Sequence, residues 1–345
     1  MALELPAVDD RAIWDVWLSA YWMPALSVAD ELKLFDALEA RPASADELGE
    51  REGLNPQALR SLLPLLASLG LLAVREGRYH LTEAARTYLL AASPYYWGGA
   101  FSIHRSSPYH AQFATALKAD PALSLGSFGA GARPVDAWEA GELAEPMART
   151  LAAFMHSHSL PAAIGLARLP QLEGIGRLLD VGGGSGCFSI ALAQRDPDLR
   201  CTIMELPAMA RLAEGYIREA GLEARIDTTV VDMFRQDWPT GYDAVFMSNI
   251  FHDWDEETCA VLAAHTLKAL PAGGRILLHE MLLADDGSGP LRPAGFSMMM
   301  LAGTKGRQYS FAELSRLLTD AGFVDPAVTE AYGDFSLVSA SRPAS

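Results

Sequence analysis

Several features that define other classes of protein are missing from this sequence of 345 residues. No run of about 18 or more apolar residues occurs, which argues against a membrane-spanning helix. The first residues, MALELP, contain neither the basic region nor the apolar run of a signal peptide, so we expect a cytoplasmic protein without a membrane partner. The three cysteines, Cys187, Cys201 and Cys259, form no C-x-x-C pair. We therefore expect neither a disulfide framework nor a structural zinc site.

Positive charge is also scarce. The sequence has 27 Lys and Arg against 43 Asp and Glu, a formal net charge of −16, and no long basic cluster. Such a protein would repel a polyanion, so we expect no nucleic-acid partner. Half of the residues are hydrophobic, which allows a large core, and the length favours two domains over one.

The most informative stretch that is present is residues 177–186, RLLDVGGGSG. A short apolar segment precedes the glycines and a helical pattern follows them, which is the order of a nucleotide-binding crevice. Gly182, Gly184 and Gly186 give G-x-G-x-G, whereas the dinucleotide fingerprint needs its last glycine at the position of Cys187. A purely structural glycine turn is the alternative interpretation.

Acidic residues at strand ends favour S-adenosylmethionine over NAD as the ligand. Asp180 lies at the carboxyl end of the first predicted strand, where a carboxylate suits a cationic amino group better than a pyrophosphate. Glu205 ends the next strand and can hydrogen-bond both hydroxyls of a ribose. Asp232 ends the third strand and can accept from an adenine amino group, with Met233 and Phe234 packed on the ring. The alternative is that Asp232 only caps the following turn.

Predicted strands and helices alternate from residue 176 onward, which indicates an α/β fold with a doubly wound, mostly parallel sheet. The strands are predicted at 177–181, 200–205, 226–231, 243–248 and 275–281, and near 324–330 and 335–341. Upstream, two helices and a hairpin at 71–81 form a winged-helix pattern. Its candidate recognition helix has Arg60 as its one basic residue, so we expect it to contact protein rather than DNA.

A second stretch, residues 248–257, follows the fourth predicted strand and reads SNIFHDWDEE. His252 lies just beyond the strand end, where ligands bind in such sheets, and can accept a proton near neutral pH. Glu280 on the fifth strand can receive the other imidazole N–H and fix the tautomer. We expect Asp253 to cap the next helix and Trp254 to pack beneath it. A structural role is the alternative for His252.

The segments LLDVGGGSG, DMF, FHDW and LPAGGRILLHE together resemble the caffeate/hydroxyindole type of small-molecule O-methyltransferases, over nearly the whole chain. The resemblance implies a Rossmann-like methyltransferase domain with a seven-stranded sheet, preceded by a mostly helical winged-helix dimerisation domain. It also implies S-adenosylmethionine as cofactor. From the apolar N-terminal helices we predict a homodimer. We set the domain limits at 1–105 for dimerisation, 106–170 for a helical connector that contributes to the substrate pocket, and 171–345 for catalysis.

Carried over by motif, the resemblance makes His252 the general base and Glu280 its orienting partner. The cofactor contacts that it implies are Asp180, Gly182, Gly184, Glu205, Asp232 and Met233, to which we add Leu206, Phe234 and Ser248. Candidate residues of the acceptor pocket are Tyr96, Trp97, Phe154, His156, Met299 and Met300. The methionines are equally expected as core. We expect no metal site, because His156 and His158 do not share a helix face.

Two positions depart from the family pattern. Ser248 stands where a basic residue is common, and Gly306 stands where many members carry a second carboxylate beside the base. O-methylation of a hydroxyl is our main expectation, with C-methylation of an α-keto acid or S-methylation of a thioether or thiol as alternatives. The keto-acid relatives use a later histidine as a metal ligand, and no histidine follows His279. An alternative of another class is a non-catalytic cofactor-binding or dimerisation subunit.

Overall fold

The computed structural model describes residues 4–118, 134–141 and 143–344. Contacts within the chain divide it into two units. The sheet unit comprises Met1–Arg11, Asp136–Met281 and Ala312–Ser345, and the helical unit comprises Ala12–Val135 and Leu282–Phe311. Within the described ranges, no helix is both long enough and apolar enough to cross a membrane. The cytoplasmic location stays a prediction.

The helical unit contains the helix, helix, hairpin order predicted from the sequence. Its helices are α1 (Arg11–Leu18), α2 (Trp22–Glu31), α3 (Leu34–Ala40), α4 (Ala45–Glu52), α5 (Pro56–Ser68), α6 (Glu83–Tyr88), α7 (Gly98–Ser102), α8 (Pro108–Lys118) and α14 (Leu291–Gly303). The hairpin pairs β1 (Leu72–Arg75) with β2 (Arg78–Leu81) in antiparallel register. Helix α14 packs against α5 and α8, and Met298, Met299 and Met300 are buried along it. The methionines are therefore as buried as core residues, which agrees with the alternative to their expected place in the acceptor pocket.

The sheet unit is built on a seven-stranded sheet with the order β5-β4-β3-β6-β7-β9-β8. Its strands are β3 (Arg177–Val181), β4 (Arg200–Glu205), β5 (Ile226–Val230), β6 (Ala244–Ser248), β7 (Arg275–Met281), β8 (Val324–Glu330) and β9 (Phe335–Ser341). The first five are parallel, and β9 is antiparallel to both β7 and β8. The predicted doubly wound, mostly parallel sheet is therefore confirmed.

The strand order positions a ligand crevice. In the sheet, β4 and β5 lie on one side of β3, whereas β6 and β7, which come later in the chain, lie on its other side. The chain therefore reverses direction across the sheet next to β3, and ligands of such sheets bind at this switch, outside the carboxyl ends of the strands. Leu178, Leu179 and Val181 are all buried, because helices cover both faces of a central parallel strand.

The sheet unit also contains six helices within its described residues. They are α9 (Pro134–Ala140), α10 (Glu145–Leu166), α11 (Cys187–Arg195), α12 (Pro207–Ala220), α13 (Glu256–Ala269) and α15 (Phe311–Asp320). The domain limits set from the sequence stay a prediction, and part of the connector lies outside the described residues. By contacts, α10 from that connector belongs to the sheet unit, whereas the segment that carries α14 belongs to the helical unit.

Candidate cofactor cavity and general base

The glycine loop, residues 182–186, joins β3 to α11 at the carboxyl edge of the sheet. Gly182, Gly184 and Gly186 have φ values of 66°, 58° and 76°, a left-handed conformation that other residues rarely adopt. A Cβ atom on Gly183 would lie 2.7 Å from Cγ of Asp180. The loop therefore needs glycines for its turn and for its close approach to the strand.

Asp180 lies beneath this loop and is 1% exposed. Its Oδ2 accepts a hydrogen bond of 2.6 Å from the hydroxyl of Ser189 on α11. Burial raises the pKa of Asp180 to about 6, because a buried carboxylate loses its hydration. The carboxyl thus ties strand to helix, and its contact with a cofactor amino group stays a prediction.

Glu205 connects the end of β4 to the glycine loop. Its Oε1 accepts from the Gly184 N–H at 2.9 Å, and its Oε2 accepts from the Leu206 N–H at 2.8 Å. Burial raises the pKa of this carboxyl to about 7. The two stretches that the sequence singled out as cofactor-binding therefore meet at this carboxylate.

A cavity open to solvent lies beside the loop. Of the residues predicted to contact the cofactor, those that line it are Gly182, Glu205, Leu206, Asp232, Met233 and Phe234. Asp180, Gly184 and Ser248 are not among its lining residues. The cavity is also lined by residues that the sequence did not predict as cofactor contacts, namely Trp138, Leu151, Met155, Met204, Met209, Val231, Ile250, Asp253 and Trp254.

Asp232 caps the turn that follows it, as the alternative interpretation proposed, and it also lines the cavity. Its Oδ1 accepts from the Phe234 and Arg235 N–H groups at 2.9 and 3.2 Å, and its Oδ2 pairs with the Arg235 guanidinium at 2.7 Å. Partial burial raises the pKa of Asp232, but these hydrogen bonds outweigh it and hold the pKa below its usual value. The carboxylate is therefore ionised, and its contact with adenine stays a prediction.

Ser248 at the end of β6 pairs with a buried histidine of the neighbouring strand. Its hydroxyl lies 2.9 Å from Nδ1 of His279. Burial lowers the pKa of His279 to about 3, so the ring is neutral. The predicted cofactor contact of Ser248 stays a prediction.

His252 lies in a short turn directly after β6 and is 4% exposed. Its Nδ1 is 3.4 Å from Oε2 of Glu280, and its Nε2 is 3.6 Å from Oδ1 of Asp253. The other oxygen of Glu280 accepts from the N–H groups of Ile250 and Phe251, both at 3.1 Å. The predicted base and its partner are therefore in contact, and Glu280 also holds the turn that carries the histidine.

Both carboxyls beside His252 have raised pKa values. Burial raises the pKa of Glu280 to about 8. Burial, and then the charge of Glu280, raise the pKa of Asp253 well above its usual value. Strongly shifted pKa values of buried acids are common at catalytic sites.

The predicted helix cap at Asp253 is wrong. Helix α13 is capped two residues later, where Oδ1 of Asp255 accepts from the Thr258 N–H at 2.9 Å. Asp253 instead faces the histidine and the cavity. Trp254 is buried and lies edge-on to Phe234, with ring centroids 4.6 Å apart. The sequence Asp253-Trp254-Asp255 does not indicate which of the two aspartates caps the helix.

The predicted acceptor-pocket residues lie in different units. In the helical unit, Tyr96 donates a hydrogen bond to Asp30, and Trp97 is 59% exposed. In the sheet unit, Phe154 packs on the ring of His158, and His156 contacts the glycine loop. Among the described residues, no group of three His, Cys, Asp or Glu could hold a metal ion. The acceptor pocket stays a prediction.

Comparison with known families decides the class of the protein. A model described as an O-methyltransferase domain matches residues 113–324, and a model of the O-methyltransferase dimerisation domain matches residues 14–91. This chain belongs to the O-methyltransferase family. The main prediction, an S-adenosylmethionine-dependent O-methyltransferase that acts on a small molecule, is confirmed, as are its cofactor and fold.

Relatives within the family support this assignment. The chain is 38% identical to a 3-hydroxy-5-methyl-1-naphthoate 3-O-methyltransferase from Streptomyces sahachiroi, over 86% of this chain and 84% of the relative. It is 32% identical to an L-tyrosine C(3)-methyltransferase from Streptomyces lavendulae, over 86% and 82%. A crystal structure of an O-methyltransferase family 2 protein from Planctomyces limnophilus, in complex with apigenin, matches with a TM-score of 0.84 and 29% identity, over 99% of this chain and all of that one.

Proposed function

We propose that the cavity of the sheet unit binds S-adenosylmethionine and that His252 is the general base for methylation of an aromatic hydroxyl. The observation that carries the proposal is the buried contact of both imidazole nitrogens with carboxyls, at 3.4 Å to Glu280 and 3.6 Å to Asp253. A histidine oriented by a carboxylate is what proton abstraction requires. The aromatic acceptor is supported by the naphthoate-methylating relative and by the relative that was solved with apigenin.

The side chains of the cavity fit this cofactor. Gly182 presents backbone without a side chain, so a ligand can approach closely. Glu205 at the end of β4 suits the two ribose hydroxyls. Met233 and Phe234 offer apolar surface for a flat ring, and the ionised Asp232 beside them can accept from an amino group.

The chain contributes proton transfer and alignment to the reaction. When bound, S-adenosylmethionine would supply an electrophilic methyl group, and its transfer to the acceptor oxygen would release the sulfur as the neutral thioether of S-adenosylhomocysteine. We expect the carboxylate of Glu280, which lies 3.4 Å from Nδ1 of His252, to accept the Nδ1–H, so that the Nε2 lone pair can take the proton of the acceptor hydroxyl. This step contributes about 10²- to 10⁴-fold in rate. Placement of the reactants in line contributes further.

A second candidate reaction is methylation of a ring carbon next to a phenolic oxygen. It is supported by the 32% identity to the L-tyrosine C(3)-methyltransferase. The same base would serve, because loss of the phenolic proton spreads negative charge onto the neighbouring carbons. The fate of the methyl group then distinguishes the two reactions.

The test is methyl transfer from isotopically labelled S-adenosylmethionine to a set of acceptors, with NMR of the products. The set contains a hydroxynaphthoate, apigenin and tyrosine, together with an α-keto acid and a thioether for the remaining alternatives. A methyl group on oxygen supports the proposal, and one on a ring carbon supports the second candidate. Binding of S-adenosylhomocysteine without transfer to any acceptor would favour a non-catalytic subunit.

We also propose that the protein forms a homodimer through its helical unit. The dimerisation model matches residues 14–91, and this unit exposes large apolar side chains. Ile13 and Val16 on α1 are 72% and 74% exposed, and Ile103 is 74% exposed. Light scattering at micromolar concentration should give the mass of two chains, and the mass of one chain would contradict the proposal.

A further inference from the structure

Two consecutive residues of helix α10, Met155 and His156, lie next to the glycine loop, and His156 contacts it. Nδ1 of His156 lies 2.9 Å from the hydroxyl oxygen of Ser185, which is the one side chain within the loop. Cε of Met155 lies 3.6 Å from where a Cβ atom on Gly184 would be. The loop is therefore supported from α10 as well as from its own strand and helix.

The imidazole of His156 is held on its other side by α12. Its ring stacks on Tyr216, with centroids 4.4 Å apart and planes inclined by 17°. Ser185 is 2% exposed, so its hydroxyl has little access to water and gains from this partner. The ring is thus bracketed between the loop and a second helix, which fixes the direction of its hydrogen bond.

The bond to Ser185 bears on the cofactor cavity through the adjacent residue. The Gly184 N–H donates to Oε1 of Glu205, the carboxylate at the end of β4 that lines the cavity. Ser185 is bonded directly to Gly184, whose N–H makes this bond. His156, Ser185, Gly184 and Glu205 therefore form a continuous series of contacts.

The same helix also forms a wall of the cavity. Leu151 and Met155 of α10 line it, as does Trp138 of α9. These side chains pack in a hydrophobic cluster with Met209 of α12. The bond between His156 and Ser185 therefore joins the cavity wall to the glycine loop.

We propose that His156 is a positioning residue for the cofactor, which holds the glycine loop in the conformation that binds S-adenosylmethionine. This role differs from the acceptor-pocket role expected from the sequence, and it rests on the proposed cofactor site. Without the bond, the loop would sample other conformations, and ligand binding would have to order it. Because a hydrogen bond of this kind contributes modestly, we expect the Kd of S-adenosylhomocysteine to rise roughly threefold to tenfold.

The variants separate the hydrogen bond from the stacking. His156→Phe keeps a ring against Tyr216 but removes Nδ1, whereas His156→Asn keeps a polar group near the Nδ1 position but removes the ring. Ser185→Ala removes the partner. Ser157→Ala is the matched control, because Ser157 is an exposed serine of the same helix whose hydroxyl donates only locally, to Phe154 O at 2.8 Å.

The readouts are calorimetry with S-adenosylhomocysteine, the separate kinetic constants, and hydrogen–deuterium exchange of the glycine loop in the ligand-free protein. We expect His156→Phe and Ser185→Ala to weaken binding by similar factors, and the double variant to be no weaker than either. The KM of S-adenosylmethionine should rise while kcat changes little, and loop exchange should be faster. His156→Asn should recover part of the affinity, and Ser157→Ala should match the wild type.

Additive losses in the double variant, or wild-type affinity and loop exchange in His156→Phe, would overturn the inference. A raised acceptor KM with unchanged cofactor binding would return His156 to the acceptor pocket. If the wild-type protein bound no S-adenosylhomocysteine, the proposed cofactor site would fail. The exchange comparison in ligand-free protein would still decide whether His156 orders the loop.

Discussion

Replacing Glu280 with glutamine tests whether this carboxylate sets the tautomer of His252. The substitution preserves size and one oxygen acceptor, so the hydrogen bonds from the N–H groups of Ile250 and Phe251 can persist. The new amide N–H₂ would then face Nδ1 of His252, which lies 3.4 Å from Oε2 in the wild type. A donor there pairs with the Nδ1 lone pair, so the imidazole proton moves to Nε2, the atom that has to accept a proton.

We expect kcat of Glu280→Gln to fall about 10²- to 10⁴-fold, the size of a general-base contribution. That loss corresponds to about 2.7 to 5.5 kcal/mol of transition-state stabilisation. The KM of S-adenosylmethionine should change little, because Glu280 does not line the cavity. Burial raises the pKa of Glu280 to about 8, and only the ionised carboxylate accepts the Nδ1–H. Wild-type activity should therefore rise with pH through about 8, and the variant should lack this rise.

The assay is initial-rate methyl transfer at saturating cofactor, over a pH series that spans this pKa. Glu257→Gln provides the control, because it makes the same chemical change at an exposed position of α13. Circular dichroism establishes that both variants are folded. A folded Glu280→Gln protein with less than about a tenfold loss and an unchanged pH profile would refute the tautomer argument.

Three further predictions concern the base, the cofactor carboxylate and the glycine loop. His252→Ala should lose at least about 10²-fold in methyl transfer while binding S-adenosylhomocysteine normally, and a loss under about tenfold would give His252 a structural role. Burial raises the pKa of Glu205 to about 7, so calorimetric affinity for S-adenosylhomocysteine should rise with pH through about 7 as the carboxylate forms. Glu205→Gln should bind more weakly without that rise, and a wild-type affinity independent of pH would contradict the role. Gly183→Ala should destabilise the protein by about 1 to 3 kcal/mol in denaturant unfolding, because its Cβ would lie 2.7 Å from Cγ of Asp180. Gly215→Ala on α12 is the control, because a Cβ atom there would have no neighbouring atom within 4 Å, and this variant should stabilise the protein by about 0.5 to 1 kcal/mol. Equal denaturation midpoints for Gly183→Ala and the wild type would exclude the clash.

The central strands of the sheet could be predicted from the sequence, because β3, β6 and β7 are short, mostly apolar runs. Strands β3, β4 and β7 have the predicted limits. Strand β5 ends at Val230 and β6 begins at Ala244, each one residue inside the prediction. Burial on both faces makes such runs conspicuous. The glycine loop followed from the same pattern, because its left-handed turns require glycine.

The partners of individual side chains could not be predicted in the same way. Asp180 and Glu205 both lie at the carboxyl ends of parallel strands, yet one carboxyl lies beneath the loop and the other lines the cavity. Trp138 and Met155 line the cavity from helices that precede the glycine strand, and no local pattern marks them. Periodicity indicates which face of a helix is buried, but not which cavity that face covers.

The strength of the proposed base depends on its two carboxyls as well as on the histidine. Burial raises the pKa of Asp253 well above its usual value, and the charge of Glu280 raises it further. A proton on Asp253 leaves one negative charge in the site, on Glu280, against Nδ1 of His252. When Nε2 accepts the proton of the acceptor, His252 becomes a positively charged imidazolium that pairs with the Glu280 carboxylate, so the net charge of these groups falls from −1 to zero. A buried site favours the state with the lower net charge. Burial therefore destabilises the lone Glu280 carboxylate and, for the same reason, favours protonation of His252 at Nε2. All three groups of the proposed base lie within the sheet unit, although Gly306 stands where many family members carry a second carboxylate.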